Sequence, residues 1–278
     1  MWGAGFVAAL ADVLGPARER AGVSAGAAMA VLVETGRAAP ALAHFMAITA
    51  QNARNVHLFG PLRGGRFFPH EAMYREVVHR GLEDGGFEAV RRGAPVRIGL
   101  VSIQPGRSPM RSAWRAFKQF SRLEASRALH GPPAAEPELE WRVETAGEAP
   151  DAATLVDWIV ASSASPPVTR ALRIEGRIHL DAGLVENVPV RALSTAAQRG
   201  AILVVLARPQ QHGPVYADGH RLYVAPEAWP PVKRWDYTRP DLAQATYDLG
   251  HRAGEALRSR IVDFFGEALT PEAPTRAG

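Results

Sequence analysis

No cysteine occurs among the 278 residues. A disulfide framework, a thiolate nucleophile, a Cys-ligated zinc and an iron–sulfur cluster are therefore excluded. Lysine is nearly absent too: of 32 basic residues only Lys118 and Lys233 are lysines, and the arginines are spread among 28 acidic residues. The net charge of +4 thus reflects composition rather than a basic footprint, and no nucleic-acid partner is expected. Nowhere do about 18 apolar residues run unbroken, and the first fifteen lack a basic start and carry Asp12, so neither a membrane span nor a signal peptide is read. The expected location is cytoplasmic, with room for peripheral membrane contact. What is present is a core: 47% of residues are hydrophobic and 22% charged, which places the chain among globular proteins. At this length one domain over 1–278 is expected.

Periodicity divides the chain into helices and strands. Phe6, Val7, Leu10, Val13 and Leu14 predict a short helix over 5–14, ended by Gly15-Pro16. Further helices are predicted over 25–33, 40–51, 69–80 and 152–163, and a final one over about 241–266. The β-formers of 95–103 and 201–207 predict buried strands, and 173–180 reads as hairpin arms around Glu175-Gly176. Between about 104 and 142 a basic aromatic stretch and a Pro-rich run read as a cap or insertion. Trp229 to Tyr237, rich in Pro and aromatics, reads as a packed connection. Strands alternating with helices predict a layered α/β domain with a mainly parallel sheet.

Gly22-Val23-Ser24-Ala25-Gly26 fits G-x-S-x-G, the pattern of a tight strand-to-helix turn that exposes a serine hydroxyl. The small flanks Gly22 and Gly26 let such a turn close, and the N–H of Ala25, at a helix start, can face a developing oxyanion. Read without further context, Ser24 is equally a helix N-cap. Nine histidines occur, with no H-E-x-x-H and no paired ligand spacing, so neither a metal nor an organic cofactor is expected.

A second constellation follows: Ala161-Ser162-Ser163-Ala164-Ser165-Pro166-Pro167, Leu180-Asp181-Ala182-Gly183 and Asn187-Val188-Pro189. With Ser24 these resemble the patatin-like phospholipase family over nearly the whole chain, and Trp235-Asp236-Tyr237 and Tyr247-Asp248-Leu249-Gly250 look like the C-terminal part of its bacterial members. The resemblance implies a three-layer α/β/α fold with a central, mainly parallel sheet. It implies Ser24 as nucleophile and Asp181 as its base, with no catalytic histidine, acting on a lipid or acyl ester through an acyl-enzyme. Gly183 would let the Asp turn approach the elbow, and Asn187 would fix the chain leaving it. Two departures stand out. Ala182 replaces the usual glycine after the aspartate, and Met1 begins where the family's glycine-rich, base-containing oxyanion loop should end. The second departure implies either a start upstream of Met1 or a protein lacking part of its oxyanion hole.

Arg111, Arg115, Lys118 and Arg122 recur at helical spacing beside Trp114 and Phe117, a pattern suited to an anionic lipid interface or to a solvated basic face over a packed cap. Two other functions stay open at this stage. One is a non-catalytic scaffold or regulator of the same fold; the other is a Ser-His-Asp esterase in which His251, following Ser24 and Asp181 in order, completes a triad. His179, two residues before Asp181, does not fit that order. Oligomeric state is not legible.

Overall fold

The eight residues Val96–Ile103 alternate their side chains between two apolar clusters, so this strand (β2) is buried on both faces. Val96, Ile98 and Leu100 face one cluster, while Val101 and Ile103 face the other. The computed structural model describes residues 1–59, 66–108, 111, 112, 114, 115, 118, 129 and 138–269. These group into two compact units: residues 18–193 with 232–244, and residues 1–17, 194–231 and the chain from 245 onward.

In the first unit β2 is the spine. Arg20–Gly22 (β1) runs parallel to its start, with Gly22 opposite Ile98. Leu139–Thr145 (β3) pairs antiparallel along residues 97–103. Arg177–Leu180 (β5) pairs antiparallel near its end, Leu180 opposite Val101, and Leu172–Ile174 (β4) completes a hairpin with β5. Helices cover one face. Ala25–Glu34 (α2), His70–Leu82 (α4), Gly86–Arg92 (α5) and Ala152–Ser162 (α6) send Val31, Val78, Val90 and Ile159 into the cluster beneath β2. Ala38–Ala50 (α3) lies between α2 and α4 in sequence. Over the opposite face, Val23 and the single-turn segment Ala182–Leu184 close a smaller cluster with Leu180 and Trp141.

In the second unit Ile202–Val205 (β6) pairs parallel with Arg221–Val224 (β8), which pairs antiparallel with Val215–Asp218 (β7). Trp2–Ala8 (α1) and, from residue 245 on, the helix Pro240–Leu269 (α8) bring Trp2, Phe6, Leu10 and Ile261 against Leu222 and Val224. Gly5 and Gly250 permit the helix contact: a Cβ at Gly5 would fall 2.0 Å from the Tyr247 carbonyl oxygen. The four-residue helix Thr195–Gln198 (α7) also belongs here. Among the described residues no helix is long and apolar enough to cross a membrane.

The α/β alternation follows the expected pattern, with local differences. Strand direction is more mixed than expected: the pairings that carry β1 to β2 and β6 to β8 are parallel, while the hairpin arms and β3 add antiparallel neighbours. The first helix begins at Trp2 and ends at Ala8, with turns from Ala9 to Val13. β6 is largely half-buried rather than buried throughout. Trp229 is 75% exposed rather than packed. β3, within the stretch expected as an insertion, belongs to the sheet.

Candidate active site

The turn from β1 into α2 takes only Val23 and Ser24, too few residues for an unstrained reversal. Ser24 absorbs the bend at φ 52° and ψ −133°, a left-handed conformation that costs a non-glycine residue roughly 1–3 kcal/mol. Gly22 is required by the close approach, since a Cβ there would lie 2.4 Å from the Gly26 carbonyl oxygen. Gly26 is different: it is exposed, and a Cβ on it meets nothing within 4 Å. The sequence reading that both glycines are needed for space is thus corrected at Gly26. Ala25 opens α2, where a backbone N–H has no partner within the helix. It is also exposed.

Hydroxyls from α6 and α4 hold the strained turn. The Ser24 N–H donates to Ser162 Oγ at 2.8 Å, and Ser162, fully buried, donates to the Gly99 carbonyl of β2 at 2.7 Å. The last turn of α6 is thereby tied to both elbow and sheet. Ser163 donates to the Tyr74 hydroxyl at 3.2 Å, and that hydroxyl lies 3.5 Å from the Ser24 carbonyl oxygen. Burial pushes the Tyr74 hydroxyl well above the usual phenol range.

β5 delivers Asp181 to this point. Asp181 is 1% exposed, and the Ser24 hydroxyl donates to its Oδ2 at 3.1 Å. Its Oδ1 accepts from the Gly183 N–H at 2.8 Å, and its own N–H donates to the Ala164 carbonyl at 2.6 Å. A Cβ at Gly183 would lie 3.0 Å from Asp181 Oδ1 and 3.2 Å from Asn187 Oδ1, so glycine there leaves the carboxylate and the amide undisturbed. Ala182 starts the single-turn helix at negative φ, so no glycine is demanded at that position.

Two further donors reach Oδ2: Ser165 Oγ at 3.1 Å and Arg234 Nη2 at 2.8 Å. Sequence alone gives neither a role: Ser165, like Ser162, lies within the constellation over 161–167, whereas Arg234 stands 53 positions from its partner and carries no local signal beyond its neighbour Trp235. Ser165 is itself placed through its N–H bond to Thr169 Oγ1 at 2.7 Å. Next in the chain, Arg170 bonds the buried Glu71 of α4 through its backbone N–H at 3.0 Å and its guanidinium at 2.9 Å, and Arg66 adds a contact at 2.9 Å. Burial alone would raise the Glu71 carboxyl, but the bonds from Arg170 and Arg66 prevail and hold it at about 2.

The histidines stand apart. Among the described residues none bonds Ser24 or Asp181. His179 is buried and binds the Arg177 carbonyl at 3.2 Å, with burial lowering its pKa. His251 pairs with Glu255 on α8. Of the basic aromatic stretch, Arg111 is exposed, Trp114 is 63% exposed with the Lys118 ammonium 5.2 Å from its ring centroid, and Arg115 is engaged by the buried Glu138. Phe117 and Arg122 lie outside the described residues.

A serine hydroxyl bonded to a buried carboxylate, on a strained turn with an open helix start beside it, is equipped for nucleophilic attack on a carbonyl. A family model described as patatin-like phospholipase matches residues 1–194. No curated protein matches the chain.

Proposed function

This chain belongs to the patatin-like phospholipase family, with its three-layer α/β/α fold, and from that premise we propose that it hydrolyses lipid acyl esters with Ser24 as nucleophile and Asp181 as general base. Members of the family are lipid acyl hydrolases. The observation that carries the proposal is the 3.1 Å bond from the Ser24 hydroxyl to Asp181 Oδ2, within the reach expected of a nucleophile and its base.

In the proposed cycle Ser24 Oγ forms a bond to the ester carbonyl carbon as its proton passes to Asp181 Oδ2. The carbonyl π electrons move onto oxygen, toward the Ala25 N–H and the start of α2. Collapse breaks the bond to the alcohol oxygen, which takes the proton from Asp181, and leaves an acyl group on Ser24. Water then repeats the sequence: Asp181 accepts its proton, the acid is expelled, and the proton returns to Ser24 Oγ.

The test is turnover of a short-chain phospholipid and of p-nitrophenyl butyrate by the purified protein. Ser24→Ala and Asp181→Asn should each lower kcat/KM by about 1000-fold or more. His251→Ala should leave it unaltered. Retained turnover in Ser24→Ala refutes the assignment, and loss on His251→Ala supports the triad instead.

A further inference from the structure

Among the described residues, Asp181 Oδ2 receives three donors while Oδ1 receives one. A carboxylate oxygen offers about two lone pairs, and the three donors are Ser24 Oγ at 3.1 Å, Ser165 Oγ at 3.1 Å and Arg234 Nη2 at 2.8 Å. The shortest of these bonds is also the one that carries a positive charge. Arg234 therefore competes, for the same lone pairs, with the hydroxyl whose proton that oxygen would accept.

Arg234 is held there by design of the loop around it. Its guanidinium carbon lies 5.0 Å from the centre of the Trp235 ring. The Trp235 carbonyl bonds His70 Nε2 at 2.9 Å, the Tyr237 N–H bonds Asn55 Oδ1 at 2.9 Å, and the Tyr237 carbonyl accepts from Asn52 Nδ2 at 2.8 Å. Yet the Arg234 side chain is 56% exposed while that of Asp181 is 2% exposed. One end of the guanidinium thus touches the buried carboxylate and the rest faces solvent. Two successive hydrogen bonds separate Nη2 from Ser24 Oγ, so an anion met by Arg234 lies within a few bonds of an ester carbonyl at Ser24.

We infer that Arg234 is a specificity-determining residue that couples recognition of an anionic group on the substrate to release of Asp181 Oδ2 for Ser24. An acyl ester with a phosphate a few bonds from its scissile carbonyl draws the guanidinium toward itself by a bidentate, charge-assisted contact. Oδ2 is then left to the two serine hydroxyls. A neutral ester lacks that attraction and reacts against the competing guanidinium, so binding energy from the anion appears in the chemical step. The inference rests on the hydrolase reading above and names the substrates that reading favours.

The experiment compares dihexanoylphosphatidylglycerol with dihexanoylglycerol, which share acyl chains and differ in the anionic phosphoglycerol headgroup. In Arg234→Gln the ratio of kcat/KM for the anionic over the neutral ester should fall at least tenfold, and Arg234→Lys should retain more of that ratio than Gln does. Unchanged thermal unfolding shows that the loop survives. A ratio unaltered in Arg234→Gln, whether both rates fall together or neither does, overturns the inference, as does a Gln variant equal to the Lys variant. If the wild-type protein hydrolyses neither ester, the hydrolase reading has failed, and binding decides Arg234 separately. Dihexanoylphosphatidylglycerol should bind the Ser24→Ala protein at least tenfold more tightly than Ser24→Ala/Arg234→Gln, and equal binding overturns the inference on that ground alone.

Discussion

Ser162 accepts a hydrogen bond from the backbone N–H of Ser24 at 2.8 Å and gives its own proton to the Gly99 carbonyl at 2.7 Å. One buried hydroxyl therefore spans the strained elbow and the central strand. Ser162→Ala leaves a donor and an acceptor unpaired in a dry environment, at an expected cost of about 1–3 kcal/mol. Urea unfolding checks the stability, and ester turnover checks the elbow: kcat should fall with KM little altered, because Ser162 positions Ser24 without touching substrate.

The two glycines of the elbow are expected to respond in opposite ways. Gly22→Ala forces a Cβ against the backbone of Gly26 and should destabilise the protein by about 1–3 kcal/mol while lowering turnover. Gly26→Ala meets open space on a helix and should stabilise by about 0.5–1 kcal/mol. Thermal unfolding of the two variants separates a requirement for close approach from a mere match to the motif.

Much of this arrangement was legible in the sequence, for identifiable reasons. The helices α2, α3, α4, α6 and α8 carry apolar periodicity with Pro or Gly punctuation, and β2 is a segment rich in β-formers. α1 lies earlier than the apolar spacing over 5–14 predicts: it runs Trp2–Ala8, with Gly5 inside it where the backbone of α8 approaches. β3 did show the alternation Leu139, Trp141, Val143 against Glu140, Arg142, Glu144, but its position after a Pro-rich run hid it. Ser24 stands out through G-x-S-x-G and Asp181 only through the family resemblance, and the structure places the two within a hydrogen bond. Arg234 has no such signal, because a contact across 53 positions obeys no local spacing rule.

Glu71 supplies a pH test. Its carboxyl is held at about 2 in the folded protein against an ordinary 4.5, so between those values the unfolded chain binds more protons. The stability it adds is complete above about 4.5 and is lost as pH falls toward about 2. Urea midpoints of the wild type and Glu71→Gln should therefore differ most near neutrality and converge over that window. A difference that stays constant from pH 5 to about 2 would mean that the Arg170 and Arg66 contacts do not depress the carboxyl.

The central claim is that the Asp181-bonded hydroxyl of Ser24 is an activated nucleophile. Its most direct test is labelling of the folded protein by a fluorophosphonate probe, with the modified residue located by mass spectrometry and Ser24→Ala and Asp181→Asn run beside the wild type. The account predicts one adduct on Ser24 of the wild type, none at that position in Ser24→Ala, and labelling slowed by about 100-fold or more in Asp181→Asn. Absence of an adduct on Ser24 in folded wild-type protein, or labelling of Asp181→Asn at the wild-type rate, would contradict it.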